Sequence, residues 1–192
     1  MVVSRCKKED FLPIQEVGEK AWIVRFSKET EYVPEVDEHG EPTGEMIDSG
    51  WVIFTEEMVY GELDVNHIRW IRLQELAEYD ASPAVNEFYV DDIPMWYNNM
   101  ERVSIDYLLH VEKSQGSETT DLYDKNGNKF TINIDLVIAL IAQVELYAKA
   151  AYDVTIQHKA ALNALDDIDE LLAYDIKAGY PEKLHLSTEL SA

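Results

Sequence analysis

The chain has 192 residues, 46% of them hydrophobic, and its 38 Asp and Glu against 16 Lys and Arg leave a net charge of −22. That length suits one domain or two small ones sharing a core, and the apolar fraction excludes disorder as a description of the whole. The charge disfavours direct binding to DNA, RNA or anionic lipid, since phosphates are met by Lys and Arg, and no apolar run approaches the roughly 18 residues of a membrane span.

The amino-terminal third reads as β structure. Residues 21–26 (AWIVRF) and 51–60 (WVIFTEEMVY) are rich in aromatic and β-branched side chains. Between them, Gly40, Pro42 and Gly44 mark turns in an acidic stretch. The prediction is a long two-stranded ribbon with an exposed acidic tip, the kind of place where a binding protein makes contact. Ahead of it, Cys6 sits among Lys7, Lys8, Glu9 and Asp10, which interrupt any signal-peptide-like apolar region. We expect this segment to be mobile. A lone cysteine there fits a reducing compartment, so the expected location is the cytoplasm unless a larger particle carries the protein out.

Residues 64–79 follow as a helix, with Asp64 at its start and Ile68, Ile71, Leu76 and Tyr79 as an apolar side, ended by Ser82-Pro83. Residues 87–93 form a predicted strand stopped by Pro94. A second helix is expected over 100–112, with Val103, Ile105, Tyr107, Leu108 and Val111 forming its buried side and Gly116 its end. Two strands, 119–123 and 130–134, flank Asn126-Gly127, a strong hairpin signal. Asp135 is expected to cap a long helix whose buried stripe runs Leu136, Val137, Leu140, Ile141, Val144, Tyr147. The pattern relaxes at Tyr152-Asp153, where Val154 and Thr155 suggest a bend. Asp166 or Asp167 caps a last short helix, and Gly179 and Pro181 close the fold.

The fold class is therefore α+β: amino-terminal antiparallel strands, then a hairpin, a long helix and a short terminal helix. The expected division is a β-rich region, residues 1–90, and a mostly helical domain, residues 91–192, with a loose boundary at 82–95.

Candidate sites are few. Asp124, Asn126, Asn128 and Asp135 stand where a calcium loop has ligands, but its sixth position needs glycine and here holds Lys129, so the hairpin reading is preferred. His39, His67, His110, His158 and His185 are far apart in sequence, and no cysteine pair supports a zinc site. His158, between Gln157 and Lys159, reads as a surface or packing residue. With so many acids, carboxylate pairs carry no information, and neither a phosphate-binding glycine loop nor a nucleophile elbow is present. We expect no metal, no cofactor and no catalysis. Aromatic residues are the better clue: most of Trp22, Trp51, Trp70 and Trp96 should be core, while Tyr32, His39, Tyr60 and Tyr97 are the predicted exposed partner contacts.

Several motifs of the second half occur together and in order. They are Trp96-Tyr97-Asn98-Asn99-Met100-Glu101-Arg102, Gln143-Val144-Glu145-Leu146-Tyr147-Ala148, Tyr152-Asp153-Val154-Thr155-Ile156-Gln157-His158-Lys159, Tyr174-Asp175 and Gly179-Tyr180-Pro181-Glu182-Lys183-Leu184. Over roughly residues 96–186 the chain resembles a family of small uncharacterised phage and prophage proteins of gut bacteria, often encoded among tail genes. Asn98 and Asn99 depart from the acidic residue and lysine that members tend to carry there. The resemblance implies a structural or tail-assembly role, other tail proteins as partners in a homo- or hetero-oligomer, and a place in the virion tail. It brings no catalytic residues. Two further expectations stand beside it: a tail-fibre assembly chaperone that is absent from the particle, and an acidic imitation of DNA that blocks a host defence enzyme.

Overall fold

The computed structural model describes residues 1–123 and 126–188. The α+β class holds: an antiparallel amino-terminal sheet, then a hairpin, a long helix and a short helix. The chain divides into two compact units, the first made of residues 1–74 and 160–176, the second of 75–159 and 177–192.

The first unit is built on a four-stranded antiparallel sheet of order β1-β4-β3-β2, from β1 (Val2–Lys7), β2 (Ile14–Gly18), β3 (Ala21–Val36) and β4 (Pro42–Tyr60). The two long strands pair from Ala21↔Tyr60 to Val36↔Pro42, as the ribbon reading expects. The segment expected to be mobile is instead β1, aligned with β4 so that Cys6 faces Val52. Its alternating charges and exposed valines are those of an edge strand, which the apolar-run criterion overlooks. Only the base of the ribbon has flanking strands: β1 covers residues 51–56, and β2 covers 21–24. Alternation at the base buries Val24, Phe26, Val52 and Phe54. Ile68 and Ile71 of α1 (Val65–Asp80), Leu162 of α4 (Ile134–Ala164) and Leu171 and Leu172 of α5 (Ile168–Ala173) are buried as well. Helix α5 lies against β3 and is capped by Asp167, whose carboxylate accepts from the Glu170 N–H.

The second unit holds α2 (Pro83–Asn86), β5 (Phe88–Val90), β6 (Ile93–Met95), α3 (Asn99–Ser114), β7 (Thr119–Tyr123), β8 (Lys129–Asn133), most of α4 and β9 (His185–Leu186). The single strand expected over 87–93 is a hairpin of two three-residue strands. Asp91 and Asp92 both have positive φ, as a two-residue hairpin turn requires. Pro94 does not stop a strand; it lies within β6, an outer strand of the β6-β5-β9 sheet, where a missing N–H is tolerated. The β7–β8 hairpin is as expected, with Gly127 at a φ of 81°. Asp124, the first position of the calcium-loop comparison, lies outside the described residues.

Two expectations for α4 need correction. Its amino-terminal cap is Asn133, whose side-chain oxygen accepts from the Leu136 N–H; Asp135 is already inside the helix. The helix also runs unbroken through Val154 and Thr155, because Thr155 faces inward and its hydroxyl donates to Asp80. The predicted stripe is otherwise the buried one: Phe88, Met95, Leu140, Val144 and Leu186 form one core cluster, and Leu109, Ile134, Val137 and Ile141 form another.

Candidate interaction surfaces

Beyond its four-stranded base the ribbon is two strands wide. Residues 32–36 of β3 and 42–48 of β4 pair only with each other. Their outer edges therefore carry backbone N–H and C=O groups with no neighbouring strand, the groups through which a sheet edge accepts another strand. Two irregularities, at Tyr32 and at Val36, each place extra β4 residues opposite β3. Gly50 and Gly44, at φ of 76° and 88°, make them possible.

Period-two alternation and the register set the two faces of this segment apart. Tyr32, Pro34, Val36, Pro42 and Met46 share one face, since Tyr32 pairs with Asp48, Pro34 with Met46 and Val36 with Pro42. Tyr32, Val36 and Met46 are each more than half exposed. No lysine or arginine occurs between Glu29 and Asp48, so the charged groups that these two strands themselves supply are acids, met by Lys8 and Arg5 only at the base. The ribbon is anchored where it leaves the base. Glu31 accepts from the Ser49 hydroxyl (2.8 Å) and the Arg5 guanidinium (2.6 Å). Those two hydrogen bonds, Ser49 first, hold its carboxyl below the usual value. Asp48 is held low by Lys8 and by the Gly50 N–H.

The four predicted contact residues fall at separate places. Tyr32 is on the apolar strip, and His39 is at the tip, where its N–H donates to Asp37. Tyr60 is exposed at the opposite end of β4, facing Ala21. Tyr97 is a correction: it is partly buried, packed on the core beside Phe88, with its hydroxyl donating to the Tyr123 carbonyl. Trp22 and Trp51 are partly buried, whereas Trp70 and Trp96 are exposed.

In the second unit the helix expected to bury Val103, Tyr107, Leu108 and Val111 exposes them. Met100 is 72% exposed, Tyr107 67%, Val103 56%, Leu108 54% and Val111 38%. Leu109 and Arg102 form the buried side, with Ile105 packed against the Leu109 cluster. Spacing identifies the helix, but α3 carries apolar residues on both sides, and spacing does not say which side meets the core.

The motif residues of the resemblance also converge in this unit. Trp96, Asn99, Arg102, Glu145 and Tyr152 line an open cleft of about 610 Å³. Arg102 Nε donates to Glu145 Oε1 at 2.6 Å and Nη1 to the Tyr97 carbonyl at 2.9 Å. This pairing fixes Glu145 against the cleft wall. Nearby, the Tyr180 hydroxyl lies 2.8 Å from Thr155 Oγ1, which donates to Asp80. Tyr180 stacks on the His158 ring, and burial pushes its hydroxyl pKa up. His158 is buried. Its Nε2 lies 2.8 Å from the Ala178 carbonyl, which can only accept, so that nitrogen carries the proton. Both groups are thus tied into packing. Among the described residues no cluster of His, Cys, Asp and Glu could hold a metal ion, and no helix is long and apolar enough to cross a membrane.

No protein-family model, no curated protein and no solved structure gives a significant match to this chain.

Proposed function

We propose that the chain is a binding protein that works through protein–protein contacts, as an adaptor or structural subunit associated with a bacteriophage tail. The observation that carries the binding role is the distal ribbon: edges with no neighbouring strand on both sides and an exposed strip of Tyr32, Val36 and Met46 on strands whose own charged residues there are all acidic. A partner strand added at either edge gains main-chain hydrogen bonds, and the strip supplies side-chain specificity. The acids set the partner's charge. A second ribbon would be repelled, whereas a basic neighbour is attracted, which raises its rate of encounter. The tail assignment rests on the resemblance of residues 96–186 and the partners that resemblance implies.

Replacing residues 35–45 by an Asn-Gly turn joins Pro34 to Met46 across an existing pair. Every buried core residue lies outside that segment, so the melting temperature should move by less than about 3 °C. Quantitative mass spectrometry of density-purified particles should find the unaltered chain at a fixed copy number and the ribbon variant at less than about a tenth of it. Equal incorporation of the two would remove the ribbon from the contact. Absence of both from particles, with abundant protein in infected cells, would replace the adaptor by an assembly chaperone or an acidic inhibitor.

A further inference from the structure

The cleft beside Trp96 lies wholly within the second unit, and its lining departs from the rest of the molecule in two ways. The first is charge. Asp80 and Glu145 are matched there by Arg102 and Lys149, which makes a neutral surface on a chain of net charge −22. Lys149 is moreover tied to Asp153, one turn along α4. The second is aromatic exposure: Trp96 is 44% and Tyr152 59% exposed, and both line this one cleft.

Arg102 gives the cleft a fixed polar centre. Only 9% of its surface is exposed. Its Nε is held by Glu145 and its Nη1 by the Tyr97 carbonyl. Its Nη2 has no hydrogen-bond partner among the described residues, and it is not sealed from solvent; the accessible part of the residue opens on the cleft. A guanidinium held at two nitrogens presents the third in a set direction. Glu145 uses Oε1 for that bond and keeps Oε2 as an acceptor. Asn99 and Tyr152 add an amide and a hydroxyl that no other described group takes up.

We propose that this cleft binds a neutral saccharide. A sugar ring has C–H faces, which suit aromatic side chains, and edge hydroxyls, each of which both donates and accepts. The cleft supplies both: Trp96 and Tyr152 for the faces, and a donor on Arg102 beside an acceptor on Glu145 for adjacent hydroxyls. Its volume of about 610 Å³ falls within the roughly 300–1,000 Å³ of small-molecule sites. An anionic ligand is opposed by Glu145 at the guanidinium and by the net charge of the chain. A wholly apolar ligand would strip water from Arg102 and Glu145 without replacing it. The site goes beyond the protein contacts proposed for the ribbon and shares no residue with them. Because the cleft is open, binding is modest, with a Kd on the order of 1 mM for a trisaccharide.

Nuclear magnetic resonance titration of the isotope-labelled full chain tests this, with maltotriose, cellotriose, triacetylchitotriose and mannotriose each added to about 20 mM, enough to fill a millimolar site. At least one should shift the Trp96 indole resonance saturably, with a Kd below about 5 mM. Trp96→Ala and Tyr152→Ala alter exposed side chains, so the far-ultraviolet circular dichroism should be unchanged while each weakens binding about tenfold. Trigalacturonate, similar in size but anionic, should bind at least about tenfold more weakly than the best neutral sugar. The ribbon-replaced chain should bind as the parent does, which separates this inference from the adaptor reading. No saturable shift with any of the four sugars would overturn the proposal, as would binding that both aromatic variants retain in full. Trigalacturonate binding as tightly as the neutral sugars would overturn the assigned ligand class.

Discussion

Two arginines one helical turn apart on α1 do work that no apolar pattern describes. Arg69 donates from Nε to the Leu162 carbonyl and from Nη2 to the Leu165 carbonyl, so a cation closes the last turn of α4. Arg72 is fully buried. It donates to the Leu171 carbonyl (3.0 Å) and the Tyr174 carbonyl at the end of α5, and to the Ser27 hydroxyl on β3 (3.0 Å), with its guanidinium 4.9 Å from the Phe26 ring. Ser27 has a φ of 52° at an irregularity in the β3–β4 register, and Arg72 helps hold it there. Arg72→Met keeps most of the volume but strands buried carbonyls, so it should cost about 3 kcal/mol in urea unfolding. A loss under about 1 kcal/mol would mean that water replaces the guanidinium. The sequence carries a signal for this residue: Arg72 falls on the same helical side as Ile68, Ile71 and Leu76. A charged residue on an apolar side is normally set aside as exposed, which is why its role is not apparent before the fold is known.

At the scale of the element, existence and type were legible, and facing and edges were not. Periodicity locates α1, α3, α4 and α5, and β-branched runs with an Asn-Gly signal locate β3, β4, β7 and β8. Helix α3 shows where pattern stops: its buried side consists of Arg102, Ile105 and Leu109, a thinner apolar set than its exposed side. Strands β1 and β2 were missed because edge strands carry polar and charged residues, and β9 because two residues have no period. For the candidate surfaces, the exposed ribbon was legible from its turn residues, whereas the α3 stripe and the Trp96 cleft depend on pairings across the chain. Capping was partly legible. Asn98 makes a full capping box on α3, accepting from the Glu101 N–H while the Glu101 carboxylate accepts from the Asn98 N–H. Asn98→Ala should cost about 1 kcal/mol in chemical unfolding.

Charge acts at the scale of the whole molecule. A net charge of −22 repels itself in the compact state, and salt screens that repulsion. The melting temperature at pH 8 should therefore rise as NaCl goes from 20 to 500 mM. Acidification acts on a different set of interactions. Glu31, Asp48, Asp91 and Asp121 are held below the ordinary carboxylate value, first by hydrogen bonds from Ser49, Lys8, Thr188 and Lys129 respectively. Groups with a lowered folded pKa contribute stability above their unfolded pKa, about 4, and lose it as pH falls through the folded one. Melting curves should accordingly fall off below about pH 4. A curve that keeps rising toward pH 3 would show that self-repulsion outweighs these bonds.

The two units are interleaved along the chain: the first needs residues 160–176, made long after its sheet, and the second takes in residues beyond 176. On a ribosome adding about 5–20 residues per second, roughly 100 residues separate the sheet from the helix that packs on it. For several seconds of every synthesis, β3 with its buried Val24 and Phe26 waits without α5 beside it. In that interval the charged edge strand β1 and the acids of the ribbon serve as guards against premature pairing with other nascent chains. The order of synthesis is thus part of this architecture: its first half cannot finish until its second half has been made.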